Sequence, residues 1–174
     1  MPLILGTNSI KDTGYDVANS LRFNSGSSDD LQRTPSQAGN RKTFTISFWT
    51  KKSKVGSTQS ILNNADGSGL NGLYFEFGDD DKLYYFDFGG SSYETPRFTT
   101  NRLFRDVSAW YHIVVAVDTT QGTEANRFKL YVNGVQETSF ATSNYPSLNA
   151  DTRWNTTSQF EIGSLNSASK FPDY

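Results

Sequence analysis

Between Thr43 and Trp49 the chain reads Thr-Phe-Thr-Ile-Ser-Phe-Trp, so apolar Phe44, Ile46 and Phe48 are separated by single hydroxyl residues. Successive side chains of an extended strand point to opposite faces, and a period of two therefore buries one face and leaves the other wet; a helix would scatter the same residues around its circumference. Trp49 breaks the alternation and implies burial on the second face or a bulge. Leu73 to Phe77 and Leu83 to Phe88 flank Gly78-Asp79-Asp80-Asp81-Lys82, which is turn chemistry between two aromatic-rich strands and predicts a hairpin. Trp110 to Val117 is the most apolar strand, expected at a sheet centre where both faces are covered. Arg127 to Val132, the pair Asn133-Gly134 and the residues from Val135 onwards predict a second hairpin, because Asn-Gly tolerates the positive φ of a two-residue turn. Shorter strands are expected at Ser20 to Asn24, Thr58 to Leu62, Phe98 to Thr100 and Gln159 to Ile162.

About a dozen short strands separated by turns indicate an all-β sandwich or barrel. Tyr, Phe, Thr, Ser, Gly and Asn are plentiful while Met and Glu are sparse, and no segment has convincing amphipathic helical spacing. A length of 174 residues suits one domain with a sizeable core. Residues 1–19 show neither period and read as an N-terminal arm, leaving residues 20–174 for the sandwich. Segments Ser25 to Asn40, Asn63 to Asn71, Gly89 to Pro96 and Thr138 to Thr157 carry the composition of loops. The last is long for a connection, and long loops in compact domains are often functional. No internal repeat is present.

Composition excludes several classes of partner. The formal net charge is -2, with no basic run to track a phosphate backbone, so nucleic acid is not expected. The absence of cysteine removes both disulfides and thiolate metal sites. Met1-Pro2-Leu3-Ile4-Leu5-Gly6 lacks the basic start and long apolar stretch of a secretory signal, and Ile113 to Val117 is too short to span a bilayer. A cytosolic product without membrane insertion is the expectation.

Three segments in order, Phe44-Thr45-Ile46-Ser47-Phe48-Trp49, then Trp110 to Asp118, then Lys129-Leu130-Tyr131-Val132-Asn133-Gly134, resemble successive landmarks of the concanavalin A-like lectin/glucanase superfamily in its laminin-G and pentraxin-like branch. More closely, Ser20-Leu21-Arg22-Phe23-Asn24, Arg33-Thr34-Pro35, Asn40-Arg41-Lys42 and Phe104 to His112 resemble modules of structural and fibre proteins of marine tailed bacteriophages. The resemblance covers roughly residues 20 to 170 and implies a two-sheet antiparallel jelly roll. For function it is only suggestive, since this fold hosts lectins, enzymes, adhesion modules and spacers.

Glucanases of that superfamily hold catalytic carboxylates on one strand, spaced Glu-x-Asp-x-x-Glu or Glu-x-Asp-x-Glu. This chain has no such string. Glu76 is followed by a loop and Glu161 stands alone, and glycoside hydrolysis needs two carboxyl groups held about 5 to 9 Å apart. His112, the single histidine, sits on an apolar strand, where a core or strand-pairing role is the simpler reading than a base or ligand. No Gly-x-Ser-x-Gly elbow is present. The chain is therefore expected not to be an enzyme. Relatives of the laminin-G and pentraxin kind often bind calcium, and Asp29, Asp30, Asp66 with Asn63 and Asn64, and Asp79 to Asp81 are oxygen-rich candidates. None has the order of a self-contained calcium loop, and Asp and Asn are what turns use. Turn chemistry is preferred, no metal ligand is assigned and no cofactor is expected.

Aromatic residues in loops are the remaining handle on binding. Sugar C–H faces pack on aromatic rings while hydroxyls bond to Asn, Asp and Arg. Tyr93, Tyr145, Trp154 and Tyr174 fall in segments read as loops, and Tyr93, Tyr145, Arg153, Trp154 and Asn155 form the candidate ligand surface. The competing reading is that the loops fold back and bury these rings in satellite clusters. Phe44, Phe48, Phe75, Tyr85, Phe128 and Phe160 alternate on strands and are expected in the core.

Two function classes remain. The resemblance implies a non-catalytic virion component, a tail-fibre, head-fibre or capsid-decorating protein assembled in the bacterial cytoplasm, whose lectin-like domain contacts host glycans. The alternative is a carbohydrate-binding or adhesion module of a secreted multidomain protein. Leu3, Ile4 and Leu5, apolar and followed by polar residues, are expected to dock the arm on a partner such as a capsid, tail or sister subunit. In the family resembled, a final strand, usually beginning Gly-Tyr, returns beside the first strand, here Ser20 to Asn24. The sequence ends at Phe171-Pro172-Asp173-Tyr174, where that strand would begin. A longer polypeptide is thus expected, or a strand supplied by another chain or by the N-terminal arm.

Overall fold

The computed structural model describes residues 19–24, 27, 29–64 and 71–164. Eleven strands run β1 Leu31–Arg33, β2 Thr43–Thr50, β3 Gln59–Asn63, β4 Asn71–Phe77, β5 Lys82–Gly89, β6 Tyr93–Leu103, β7 Tyr111–Asp118, β8 Phe128–Val132, β9 Val135–Glu137, β10 Phe140–Asn144 and β11 Phe160–Ile162. A short 3-10 turn lies at Glu124–Asn126. A seven-stranded sheet in the order β1-β11-β3-β4-β5-β6-β10 faces a four-stranded sheet in the order β2-β7-β8-β9, and every pairing is antiparallel. The fold is the expected two-sheet sandwich.

Alternation sorts the side chains. Leu73, Phe75 and Phe77 of β4, Leu83 and Tyr85 of β5 and Phe98 of β6 point inward and meet Ile46, Ile113, Val115, Val117, Phe128, Leu130 and Val132 of the smaller sheet. Phe98 stacks on Phe128 with ring centroids 3.7 Å apart, and Phe48 meets Phe75 edge to face at 5.5 Å. Of the six aromatics expected in the core, Phe75, Tyr85 and Phe128 are buried; Phe44, Phe48 and Phe160 are half-buried at its rim. The β8–β9 hairpin turns through Asn133 (φ 52°) and Gly134 (φ 79°), the two positive φ angles that a type I′ turn requires.

Several boundaries differ from the sequence reading. Ser20–Asn24 forms no strand; Phe23 instead lays its ring on Gly163. Gly163 has φ +84°, and a Cβ there would lie 2.6 Å from the Phe23 ring, so both backbone and contact require glycine. Two strands fall inside segments read as loops. β1 has only three residues, too few to show a period, and β10 is a polar edge strand whose Thr, Ser and Asn face solvent. β6 begins at Tyr93, so most of Gly89 to Pro96 is strand or tight turn. Trp49 marks neither a bulge nor burial: it pairs in register with His112, lies exposed on the outer face of the smaller sheet and stacks on that imidazole at 4.9 Å. The arm, with Leu3, Ile4 and Leu5, lies outside the described residues, as do Asp66 and Tyr174.

Asp81, at the β4–β5 turn, fastens three loops. It is 3% exposed and accepts bonds from Lys52 Nζ (2.5 Å), the Gly56 N–H (2.8 Å) and Arg105 Nε (3.0 Å), while its carbonyl takes the Phe104 N–H. Burial alone would raise its pKa; the Gly56 N–H and the two cations outweigh that and hold it at about 2. Because the folded value lies below the ordinary carboxylate value, this stabilisation is full above about pH 4 and is lost as pH falls toward 2, an effect of about 2 kcal/mol. Asp81→Ala, which strands Lys52 in the interior, is expected to cost about 3–5 kcal/mol in urea unfolding, and the variant should lack this acid-limb loss.

Candidate functional site

The outer face of the seven-stranded sheet is aromatic where β4, β5 and β6 meet. Outward alternation places Tyr74 on β4, Phe86 and Phe88 on β5 and Tyr93 and Arg97 on β6. Tyr74 and Phe86 are buried and stacked at 5.2 Å, forming a cluster separate from the main core. Tyr93 stands on it, edge to face with Phe86 (5.0 Å) and Phe88 (5.4 Å), and remains 52% exposed. The Arg97 guanidinium carbon lies 3.9 Å from the Tyr93 ring centroid, a cation–π contact. Asn144 of β10 is the register partner of Arg97. The result is an exposed ring on a rigid aromatic footing, with the Arg97 guanidinium against it and Asn144 across from Arg97 on the neighbouring strand.

On the inner face of the same sheet, at the β5–β6 end, lies a charged cluster. Asp87 is buried; its Oδ2 accepts the Arg153 N–H at 2.8 Å and its Oδ1 has no hydrogen-bond partner. Burial pushes its pKa up to about 7, despite the opposing bond and charge of Arg153. Arg153 Nε bonds Glu94 at 2.7 Å, holding the Glu94 carboxyl below its ordinary value.

The five residues singled out in the sequence are divided by the structure. Tyr93 is the crest, and Arg153 reaches its neighbour Glu94. Tyr145 turns to the opposite face and packs edge to face on Phe98 at 4.9 Å. Trp154 lies between Phe44 (6.2 Å) and Phe160 (4.5 Å) at the core rim. Asn155, at φ 58°, latches the loop, donating to the Asn40 carbonyl (2.6 Å) and accepting the Gly39 N–H (2.8 Å). Arg97 was missed because its strand was read as beginning at Phe98; the outward period through Tyr93, with Arg97 beyond it, becomes visible once β6 is extended to Tyr93.

Other chemical candidates are engaged in packing. His112 Nε2 lies 3.0 Å from Ser47 Oγ under the stacked Trp49, a strand-pairing position. Glu76 and Glu161 sit on β4 and β11 with β3 between them, opposite Ser60 and Asn63 respectively. Two interstrand spacings and a three-residue offset put their backbones about 14 Å apart. Burial, and then the charge of Asp79, raise the Glu76 pKa to about 7. Among the described residues no group of three or more His, Cys, Asp or Glu side chains is gathered as for a metal. Asn64 donates to the Arg153 carbonyl and accepts the Leu73 N–H, a loop-fastening role.

Two expectations follow. Trp154→Ala should cost about 3 kcal/mol in urea unfolding, whereas Tyr93→Ala should cost under about 1 kcal/mol, since only the former empties the core rim. For Asp87 the folded pKa exceeds the unfolded one, so the unfolded chain releases its proton near pH 4 and the folded chain holds it until about 7. Stability from this group therefore falls as pH rises from 4 to 7. In Asp87→Asn that fall should shrink by about 3 kcal/mol, read from unfolding at pH 4.5 and pH 8.

Among solved structures, the mouse laminin alpha1 chain, domains LG4-5, aligns with a TM-score of 0.53 at 14% identity over 83% of this chain; the chain spans 34% of the length of that structure. The SAP-like pentraxin of Limulus polyphemus gives 0.49 at 16% identity over 79% of this chain and 58% of its own, and the Ruminococcus gnavus IT-sialidase CBM40 gives 0.49 at 12% over 82% and 85%. No curated protein matches the chain in sequence. The family model that matches, over residues 24–172, is that of the concanavalin A-like lectin/glucanases superfamily, and with that span and the two-sheet fold the chain belongs to this superfamily.

Proposed function

We propose that this chain is a non-catalytic carbohydrate-binding or adhesion module displayed on a tailed-bacteriophage particle, as part of a tail fibre, head fibre or capsid decoration, and that it contacts host surface glycans. The observation that carries the binding reading is the Tyr93 crest with Arg97 and Asn144. A pyranose C–H face packs on a half-exposed ring, and guanidinium and amide donors meet its hydroxyls. The phage setting rests on the resemblance of Ser20 to Asn24, Arg33 to Pro35, Asn40 to Lys42 and Phe104 to His112 to phage structural modules. A sister subunit and other virion proteins are the assembly partners in this reading.

Glycosidase chemistry is not part of this reading, because Glu76 and Glu161 stand on strands separated by β3 and no paired-carboxylate string lies on one strand. No metal ion is part of this reading. Asp81, Asp106 and Asp118 are already bonded to Lys52, Arg105, Gly56, Ser108, Thr120 and Gln121.

The test is binding of the chain to a host-polysaccharide and glycan array with and without EDTA. Binding insensitive to EDTA, reduced at least tenfold by Tyr93→Ala and by Arg97→Ala with unfolding midpoints unchanged, is expected. Binding that survives both substitutions would move the site elsewhere. Release of reducing sugar, lost on Glu76→Gln or Glu161→Gln, would make the chain an enzyme. Capsid, portal and tail genes beside the coding sequence are expected; a secreted module would have enzyme neighbours.

A further inference from the structure

The buried carboxylates of the sandwich are served in different ways. Asp81 has two cations and an N–H, Glu137 has Arg102, and Glu161 takes bonds from Gln159 and Ser164. Asp87, 1% exposed, takes one bond, from the Arg153 backbone N–H to Oδ2, and its Oδ1 has no partner among the described residues. Tyr85, two residues back on the same inward face, also buries its hydroxyl without a partner, so it lends the carboxylate nothing. An ionised carboxylate in that setting is costly, and either a proton or a cation must offset the charge. The charged groups that face Asp87 come from three elements: its register partner Glu94 on β6, Arg153 on the connection after β10, and Arg41 on the connection from β1 to β2. Arg41 is committed elsewhere, its Nε donating to the Thr152 carbonyl at 2.8 Å. Arg153 is already anchored on Asp87 by its backbone, while its side chain turns away to Glu94. That ion pair lies against Gly89, the next residue on the same face of β5: a Cβ there would stand 2.9 Å from Arg153 Nη2 and closer still to the Glu94 carboxyl. Same-face neighbours on a strand are about 7 Å apart, so a side-chain rotation brings the guanidinium to Asp87. Glu94 is exposed, and water screens its hold on Arg153.

We propose that Arg153 is exchanged between Glu94 and Asp87 and that the proton on Asp87 decides between them. With the proton on, Asp87 is neutral and Arg153 holds Glu94. When the proton leaves to solvent, the buried charge draws the Arg153 guanidinium inward and Glu94 is left to water. Burial, which pushes the Asp87 pKa up to about 7, places the exchange near neutral pH, with the Glu94 pair on the acid side and the Asp87 pair on the alkaline side. The pair that changes hands joins the long connection after β10 to the start of β6, one residue past Tyr93, so the device resets the attachment of that connection with pH.

An NMR titration of the full chain reads the three groups together, through the carboxyl carbons of Asp87 and Glu94 and the Nε of Arg153. A shared midpoint within about one pH unit of 7 is expected, at which the Asp87 carbon titrates, the Arg153 Nε signal shifts and the Glu94 carbon shows a second, smaller step. In Asp87→Asn, which cannot ionise, the Arg153 and Glu94 steps near neutrality should both vanish. Glu94→Gln, at an exposed position where the fold is not at risk, removes the rival carboxylate; the Asp87 midpoint should then fall by about one pH unit or more and the Arg153 step should move with it. An Asp87 carboxyl already ionised at about pH 5, or an Arg153 Nε signal that ignores the Asp87 midpoint, would overturn the proposal. So would a step at Arg41 Nε in place of Arg153, which would assign the cation to the connection before β2, or an Asp87 midpoint unmoved in Glu94→Gln.

Discussion

Every inward side chain of the seven-stranded sheet needs cover from the smaller sheet, and that requirement organises the molecule. Where cover exists, the core is aromatic and closely stacked: Phe98 on Phe128, Phe75 between Phe48 and Tyr85, and Phe77 on Phe104. Rings of this size remove much apolar surface from water and prefer offset or edge contacts, which fixes the relative placement of the sheets. Without disulfides, this packing and the buried Asp81 node carry the fold. The node joins loops from β2–β3, β4–β5 and β6–β7, so losing one of its charges would release three connections at the same end of the sandwich.

At the opposite end the long connection after β10 is secured by different means. Thr152 exchanges bonds with Arg41, Asn155 with Asn40 and Gly39, and Asn64 holds the Arg153 carbonyl. Trp154 and Tyr145 supply the apolar part of that attachment. A loop tied this densely offers its aromatics to the core and its charged tips to solvent. Of the candidate ligand residues it carries, Arg153 is held by Asp87 and Glu94 on the inner face of the sheet, on the side opposite the crest.

The sandwich was legible because period two survives in long, half-buried strands such as β2, β4 and β5, and because Asn133-Gly134 encodes its turn locally. Edge elements were not legible. β10 is polar because it has solvent on one side, and β1 is too short for any period. The segment Ser20 to Asn24 has the composition of a strand but is not paired as one among the described residues, since pairing is a long-range property that composition does not carry. Tyr93 was found for its residue type alone. Its footing required knowing that Phe86, Phe88 and Arg97 share its face, which follows only from the β5–β6 register and the shift between Phe86 and Asp87.

That footing bears on how strongly such a crest can bind. Tyr93 is wedged between Phe86, Phe88 and Arg97, so ordering it on contact costs little rotamer entropy, and the rings beneath it keep its plane fixed. One exposed ring with two or three hydrogen-bonding groups still buries little area, which limits a single copy to weak affinity. Weak contacts become strong attachment when many copies act on one surface, because each binding event after the first is intramolecular. If the crest binds glycans as proposed, a rigid domain that presents it is suited to repeated display, where rigidity preserves the spacing between copies.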